Sequence, residues 1–84
     1  DLISRLREQT TAPMRGLSPK ARDRMSETAL AYVEHAGNAA EMARRLDIHP
    51  QTARYRIARL RELFGEDLDR PERRLELELS LRAG

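Results

Sequence analysis

The chain has 84 residues, no cysteine, and charged side chains at 36% of its positions, 16 basic against 14 acidic for a formal net charge of +2. That length bounds it to one small domain, too short for a large core, so that helix packing or dimerisation must offset a limited buried area. The missing cysteines exclude disulfides and thiolate metal sites and fit a reducing compartment, no apolar run approaches 18 residues, and no secretory signal opens the chain, so nothing is expected to span a membrane.

In chain order, Leu2 to Arg7 forms an amphipathic segment, and the turn formers of TTAPMRGLSP (Thr10 to Pro19) predict a linker after it. Residues 1–17 are therefore expected as an N-terminal arm and linker, and residues 18–84 as the domain proper. The opening Asp1 in place of Met is expected of a fragment or processed form; a signal-sensing domain, and any small-molecule effector acting through it, would lie upstream. A first core helix is predicted from about Lys20 to Ala36, with Ser18 as cap, Pro19 at N1, and Met25, Ala29, Tyr32, Val33 and Ala36 at helical spacing. Tyr32 is expected as a half-buried packing residue, and His35 as a helix-end residue meeting the dipole.

The next stretch, NAAEMARRLDIHPQTARYRIARLRELF (Asn38 to Phe64), predicts two helices around a tight turn. Ala39, Met42, Ala43 and Leu46 fall at the i, i+3, i+4, i+7 positions of one helix face. Asn38 is placed to cap that helix, with Glu41 reaching back to the Asn38 amide as a capping box, and Gly37 suits the C′ position of the helix before it. At Asp47 the turn needs a residue that tolerates positive φ, which Asp does better than most. Ile48 is then free to enter the core, His49 to cap, and Pro50 to open the following helix at N1.

In that helix Ala53, Ile57, Leu60 and Phe64 form one stripe at about 100° per residue, which must pack inward. Gln51, Tyr55, Arg59 and Glu62 project nearly opposite it, Thr52 beside them, and Arg54, Arg56 and Arg61 on the flanks. This is the layout of a helix-turn-helix DNA reader, whose second helix enters the major groove. Gln51 and Thr52 are the expected base readers, since glutamine pairs bidentately with adenine and threonine meets a thymine methyl or a polar edge. Tyr55 offers a hydroxyl to phosphate and a ring to sugar or thymine; Arg54, Arg56 and Arg59 are chiefly phosphate candidates, although an arginine that reaches guanine would instead specify sequence. Asn38 and the amides behind it form a second phosphate seat. With His49 at the cap, the expected DNA-binding set is Asn38, His49, Gln51, Thr52, Arg54, Tyr55, Arg56 and Arg59.

An arginine-rich helix face is often mere solvated surface, but the charge here is local. Residues 38–64 carry six arginines against three acids, net +3, whereas residues 65–84 carry four against six, net −2. In that acidic tail Leu75, Leu77, Leu79 and Leu81 alternate with polar residues, a strand-like period. Helix is the reading preferred, because Leu, Glu and Arg are strong helix formers, Pro71 suits N1, Glu72 suits the first turn, and a lone strand would lack a partner. A helix with leucines at every second position has a spare apolar face, which is expected to make the chain a homodimer, aided by Leu2, Ile3 and Leu6. The fold expected overall is all-α: a small helical bundle containing a helix-turn-helix, with an N-terminal arm and a C-terminal helix.

No enzyme is expected. His35 and His49 are the only histidines, no HExxH or glycine-rich phosphate loop is present, and Glu34 and His35 point about 100° apart on a helix; no catalytic residue, metal or cofactor is assigned. The competing class is a helical protein-interaction or dimerisation module whose leucine tail is the working surface.

Four pieces, in order and spacing, give the chain a resemblance. AYVEHAGN (Ala31 to Asn38), EMARRL (Glu41 to Leu46), HPQTARYRIARL (His49 to Leu60) and DLDRPERRLELELSLR (Asp67 to Arg82) resemble AYLEHGGN, an AARRL-like run, HRNTLRYRLRRI and DLDDPEDRLALQLALR. These belong to the C-terminal helix-turn-helix domain of PucR/CdaR-type bacterial transcriptional regulators, itself similar to the Fis DNA-binding unit, and the likeness spans about residues 27–82. The resemblance implies a cytoplasmic, nucleoid-associated module that binds double-stranded operator DNA, in a family that regulates catabolic operons such as those for purines or sugar diacids. His49, Gln51, Thr52, Arg54, Tyr55 and Arg56 match the family's recognition segment. Pro50 stands where that family usually has arginine, Gln51 where asparagine is common, and Ala53 where leucine is common, so operator sequence and affinity do not carry over.

Overall fold

The computed structural model describes residues 1–83. They form α1 (Leu2–Thr10), α2 (Pro19–Glu34), α3 (Ala39–Leu46), α4 (Pro50–Phe64) and α5 (Pro71–Ala83), with 3-10 turns at Ala12–Met14 and Gly65–Asp69 and no strand among the described residues. The all-α expectation holds, and the tail is a helix. α2 packs against α3, α4 and α5, α3 lies against α4, and α1 runs along α5. The buried centre draws on four of the helices: Met25 and Tyr32 of α2, Met42 of α3, Leu60 and Phe64 of α4, and Leu77 of α5.

Residues 10–19 are a packed connection rather than the expected linker. The Thr11 amide closes α1 on the Arg7 carbonyl at 2.9 Å, and the following 3-10 turn drives Met14 into the core, where it is 1% exposed. The Thr10 and buried Ser80 hydroxyls share a hydrogen bond of 2.7 Å that ties α1 to α5. The residues expected as an arm therefore lie on the helical body. Local composition signals the turn formers but carries no information about a lone methionine finding a cavity between distant helices.

α2 starts as expected, with the Ser18 oxygen accepting from the Ala21 amide at 3.2 Å and Pro19 at the first position. It ends at Glu34, two residues before the expected Ala36. Ala36 and Gly37 both take left-handed backbone, φ 50° and 76°, and the Gly37 amide donates to the Tyr32 carbonyl at 3.0 Å, the long bond of a Schellman closure. The expected C′ glycine is thus one position late, and a Cβ sits where left-handed geometry costs about 1–2 kcal/mol. A Cβ at Gly37 would meet the Tyr32 ring at 3.1 Å, so that glycine is required twice over. In urea denaturation Ala36→Gly is expected to raise stability by about 0.5–1 kcal/mol, and Gly37→Ala to lower it by at least about 1 kcal/mol. Equal responses would show that the two positions do not differ in strain.

Glu34 is the crossing point of a polar network. Its carboxylate accepts from Arg45 of α3 and, at 2.8 Å, from Arg82 of α5, while Arg82 also donates to Glu78 at 3.0 Å. Burial opposes ionisation of Glu34, but hydrogen bonds and charge from Arg82 and Arg45 outweigh it and hold the carboxyl below its ordinary range. A folded pKa below the unfolded one stabilises the fold above the ordinary glutamate value of about 4.3, and that contribution disappears as acid carries the group through its lowered value. Glu34→Gln should therefore melt below the parent at neutral pH, and the gap should close on titration below about pH 4. A gap independent of pH would mean the network contributes only through shape.

Candidate nucleic-acid interface

The helix-turn-helix unit is assembled by local capping. The Asn38 side chain accepts from the Glu41 amide at 3.0 Å and starts α3. The other half of the expected capping box does not form: the Asn38 amide donates to the His35 carbonyl at 3.0 Å, while the Glu41 carboxylate lies 3.5 Å from His35 Nδ1. With its amide already engaged, Asn38 leaves Glu41 free to turn to the imidazole. Asp47 takes the left-handed conformation expected of it, φ 55° and ψ 51°, and the Ile48 amide donates back to the Ala43 carbonyl at 3.0 Å. His49 then caps α4, its Nδ1 accepting from the Gln51 amide at 3.0 Å, with Pro50 at the first position.

α4 buries Ala53, Leu60 and Phe64, with Ile57 half-buried on the same stripe. That leaves Gln51, Thr52, Arg54 and Tyr55 exposed at its N-terminal end. Tyr55 is 68% exposed, more than any other aromatic side chain of the described residues. One exposed tyrosine is ordinary on its own; here it stands among cations. Thr52, Tyr55, Arg56 and Arg59 line one side of a groove of about 350 Å³, and Leu17, just ahead of α2, with Ala21, Arg24 and Met25 in its N-terminal half, line the other. The lining holds three guanidiniums and two hydroxyls and no carboxylate.

The expected site residues therefore divide. Thr52, Tyr55, Arg56 and Arg59 share the groove. Gln51 and Arg54 form a pair of their own, Arg54 donating to the Gln51 amide oxygen at 2.7 Å. His49 is held in its capping bond, and Asn38 lies apart, at the head of α3. Arg59 also meets Glu62 at 2.7 Å, both side chains well exposed, a pairing worth about 0–1 kcal/mol and readily exchanged for a phosphate. Arg61 does not belong to the cationic face on whose flank its helical angle placed it. Its guanidinium donates to the Tyr32 hydroxyl at 2.8 Å, stacks over that ring at 5.7 Å and pairs with Asp69 at 3.2 Å, so it fastens α4 to α2. Tyr32 is correspondingly deeper than half-buried, at 5% exposed. Arg24 escaped the sequence reading because its relation to α4 arises only when α2 packs on α4.

Among the described residues no cluster of histidine and acidic side chains could hold a metal, and no helix is long and apolar enough to cross a membrane. The model of the PucR C-terminal helix-turn-helix domain matches residues 25–83. The chain is also similar to the purine catabolism regulatory protein of Bacillus subtilis (strain 168), 30% identical over 82 residues. That alignment covers 95% of this chain but only 15% of the length of the relative. No solved structure matches. With the family model covering most of the chain and the capped α3–α4 unit inside the matched range, the chain belongs to the PucR C-terminal helix-turn-helix domain family.

Proposed function

We propose that this chain is the sequence-specific DNA-binding output domain of a bacterial transcriptional regulator, with α4 in the major groove. Family membership supports the general role, DNA binding in transcription regulation. The finer reading is carried by one observation: the exposed face of the second helix of the helix-turn-helix unit presents Thr52, Tyr55, Arg56 and Arg59 along a groove lined by no carboxylate. In this reading Gln51 and Thr52 face base edges, Tyr55, Arg54, Arg56 and Arg59 hold sugar and phosphate, and His49 and Asn38 set the helix ends beside the backbone.

The functional unit is a homodimer in the same proposal. Leu2 and Ile3 on α1 and Leu75 and Leu79 on α5, two helices packed on each other, stay more than half exposed, and a second copy would cover them. Two copies read half-sites about 34 Å apart, one turn of DNA. The competing reading, a protein-interaction module, makes those leucines the working surface and leaves α4 without a DNA partner.

Fluorescence anisotropy of the domain with its own upstream promoter DNA and with scrambled duplex, at two salt concentrations, tests the proposal. Salt-dependent binding with a clear sequence preference is expected, because phosphate contacts impose the slope and base contacts the gap. No binding at low salt would transfer the function to the leucine surface. Sedimentation of the free domain and of its complex tests the dimer; a monomer at high concentration that binds a single half-site would reject it.

A further inference from the structure

Resting on that DNA-binding reading, we infer that the groove between α2 and α4 seats one strand of the DNA sugar-phosphate backbone, with Arg24 as a phosphate contact supplied from outside the helix-turn-helix unit. The two sides of the groove differ in chemistry. Arg24, Arg56 and Arg59 bring three cations, and Tyr55 a hydroxyl, the donors that phosphate oxygens accept from. Leu17, Ala21 and Met25 add an apolar surface beside them. A free inorganic anion gains nothing from apolar contact, whereas a deoxyribose does, so the pairing of cations with an apolar floor suits a nucleotide strand.

The charge environment of Arg24 agrees. Its side chain is exposed and makes no ion pair among the described residues, and its acidic neighbours Asp23 and Glu27 lie outside the groove lining. Its backbone is held where it is: the buried Thr28 hydroxyl donates to the Arg24 carbonyl at 2.8 Å. The steric argument points the same way. An α-helix with its side chains is about 10–12 Å across and the major groove about 12 Å wide, so a helix that fills it brings its flanking elements against the backbone walls. On one side of α4 the flanking element is the N-terminal half of α2.

Titration of the parent domain, Arg24→Gln, Ala21→Glu, Arg56→Gln and, as a remote control, Arg5→Gln against matched and scrambled duplex between roughly 50 and 200 mM salt tests this. Circular dichroism of each variant first verifies that the helices persist. Arg24→Gln is expected to flatten the log–log salt slope by about 0.9 and to weaken both duplexes by the same factor, leaving the preference ratio unchanged. Ala21→Glu, which brings a carboxylate to the floor, should weaken both duplexes further, and Arg5→Gln should match the parent. If Arg24→Gln and Ala21→Glu bind as the parent does while Arg56→Gln loses affinity, the groove seats no backbone and the α4 reading stands. A changed preference ratio in Arg24→Gln would make it a base contact and overturn the assignment. A parent that fails to bind at low salt would remove both.

Discussion

Leu60→Ala is expected to lower the unfolding free energy by about 2–5 kcal/mol, the range for a fully buried leucine whose removal leaves a cavity. Leu60 is 0% exposed and belongs, with Phe64, to the core that joins α4 to Tyr32 of α2 and Met42 of α3. Against a typical domain stability of about 5–15 kcal/mol, that loss leaves a small protein close to its threshold. In urea the midpoint should fall at unchanged m-value, since the same surface is exposed on unfolding. DNA affinity should fall only in proportion to the unfolded fraction, because the residues on the opposite face of α4 keep their geometry in molecules that remain folded. Leu75→Ala is the contrast: at 56% exposed it should move the stability of the monomer by no more than about 0.5 kcal/mol, and its effect should appear instead in the sedimentation mass. If Leu60 tolerated the change as well as Leu75, α4 would have to pack by another face, and its exposed set would change with it.

The local devices of the fold were legible because each is written within a few residues. The Asn38 cap, the left-handed Asp47 and the His49-Pro50 start depend on neighbours two to four positions away, and the structure contains all three. The leucine tail was harder. A step of two residues turns a helix by about 200°, so a strand-like alternation becomes two opposed helical faces, Leu77 and Leu81 inward and Leu75 and Leu79 outward. What could not be read joins residues far apart in the chain. Met14 fills the core, Arg61 turns to Tyr32, Arg82 reaches Glu34, and Arg24 comes to the edge of α4. A helical wheel gives each of these side chains a direction but not the element that will stand in front of it. For that reason the projection that turned Thr52 and Tyr55 outward also placed Arg61 on the flank of the basic face, where the structure engages it with Tyr32.

Gln51→Ala and Arg56→Gln should fail in different ways. If Gln51 pairs with adenine as proposed, its loss should cost about 1–3 kcal/mol of discrimination at one base pair, with little change in salt slope. Loss of Arg56 should weaken matched and scrambled duplex alike and flatten the slope by about 1. Arg54 belongs to neither class alone. Its guanidinium donates to the Gln51 amide oxygen at 2.7 Å, which fixes the amide plane while leaving a second oxygen lone pair and the NH2 group for adenine. Arg54→Ala is therefore expected to lose affinity on every sequence, through its own charge, and also part of the base preference, through a Gln51 freed to rotate. A double-mutant cycle over Gln51 and Arg54, read on matched duplex and on duplex altered at the one base pair, separates the two effects. The coupling should be about 0.5–1.5 kcal/mol on the matched site and vanish on the altered one, because a positioned amide matters only where there is an adenine to meet. Additive losses on both duplexes would reduce Arg54 to a phosphate contact and leave Gln51 to orient itself.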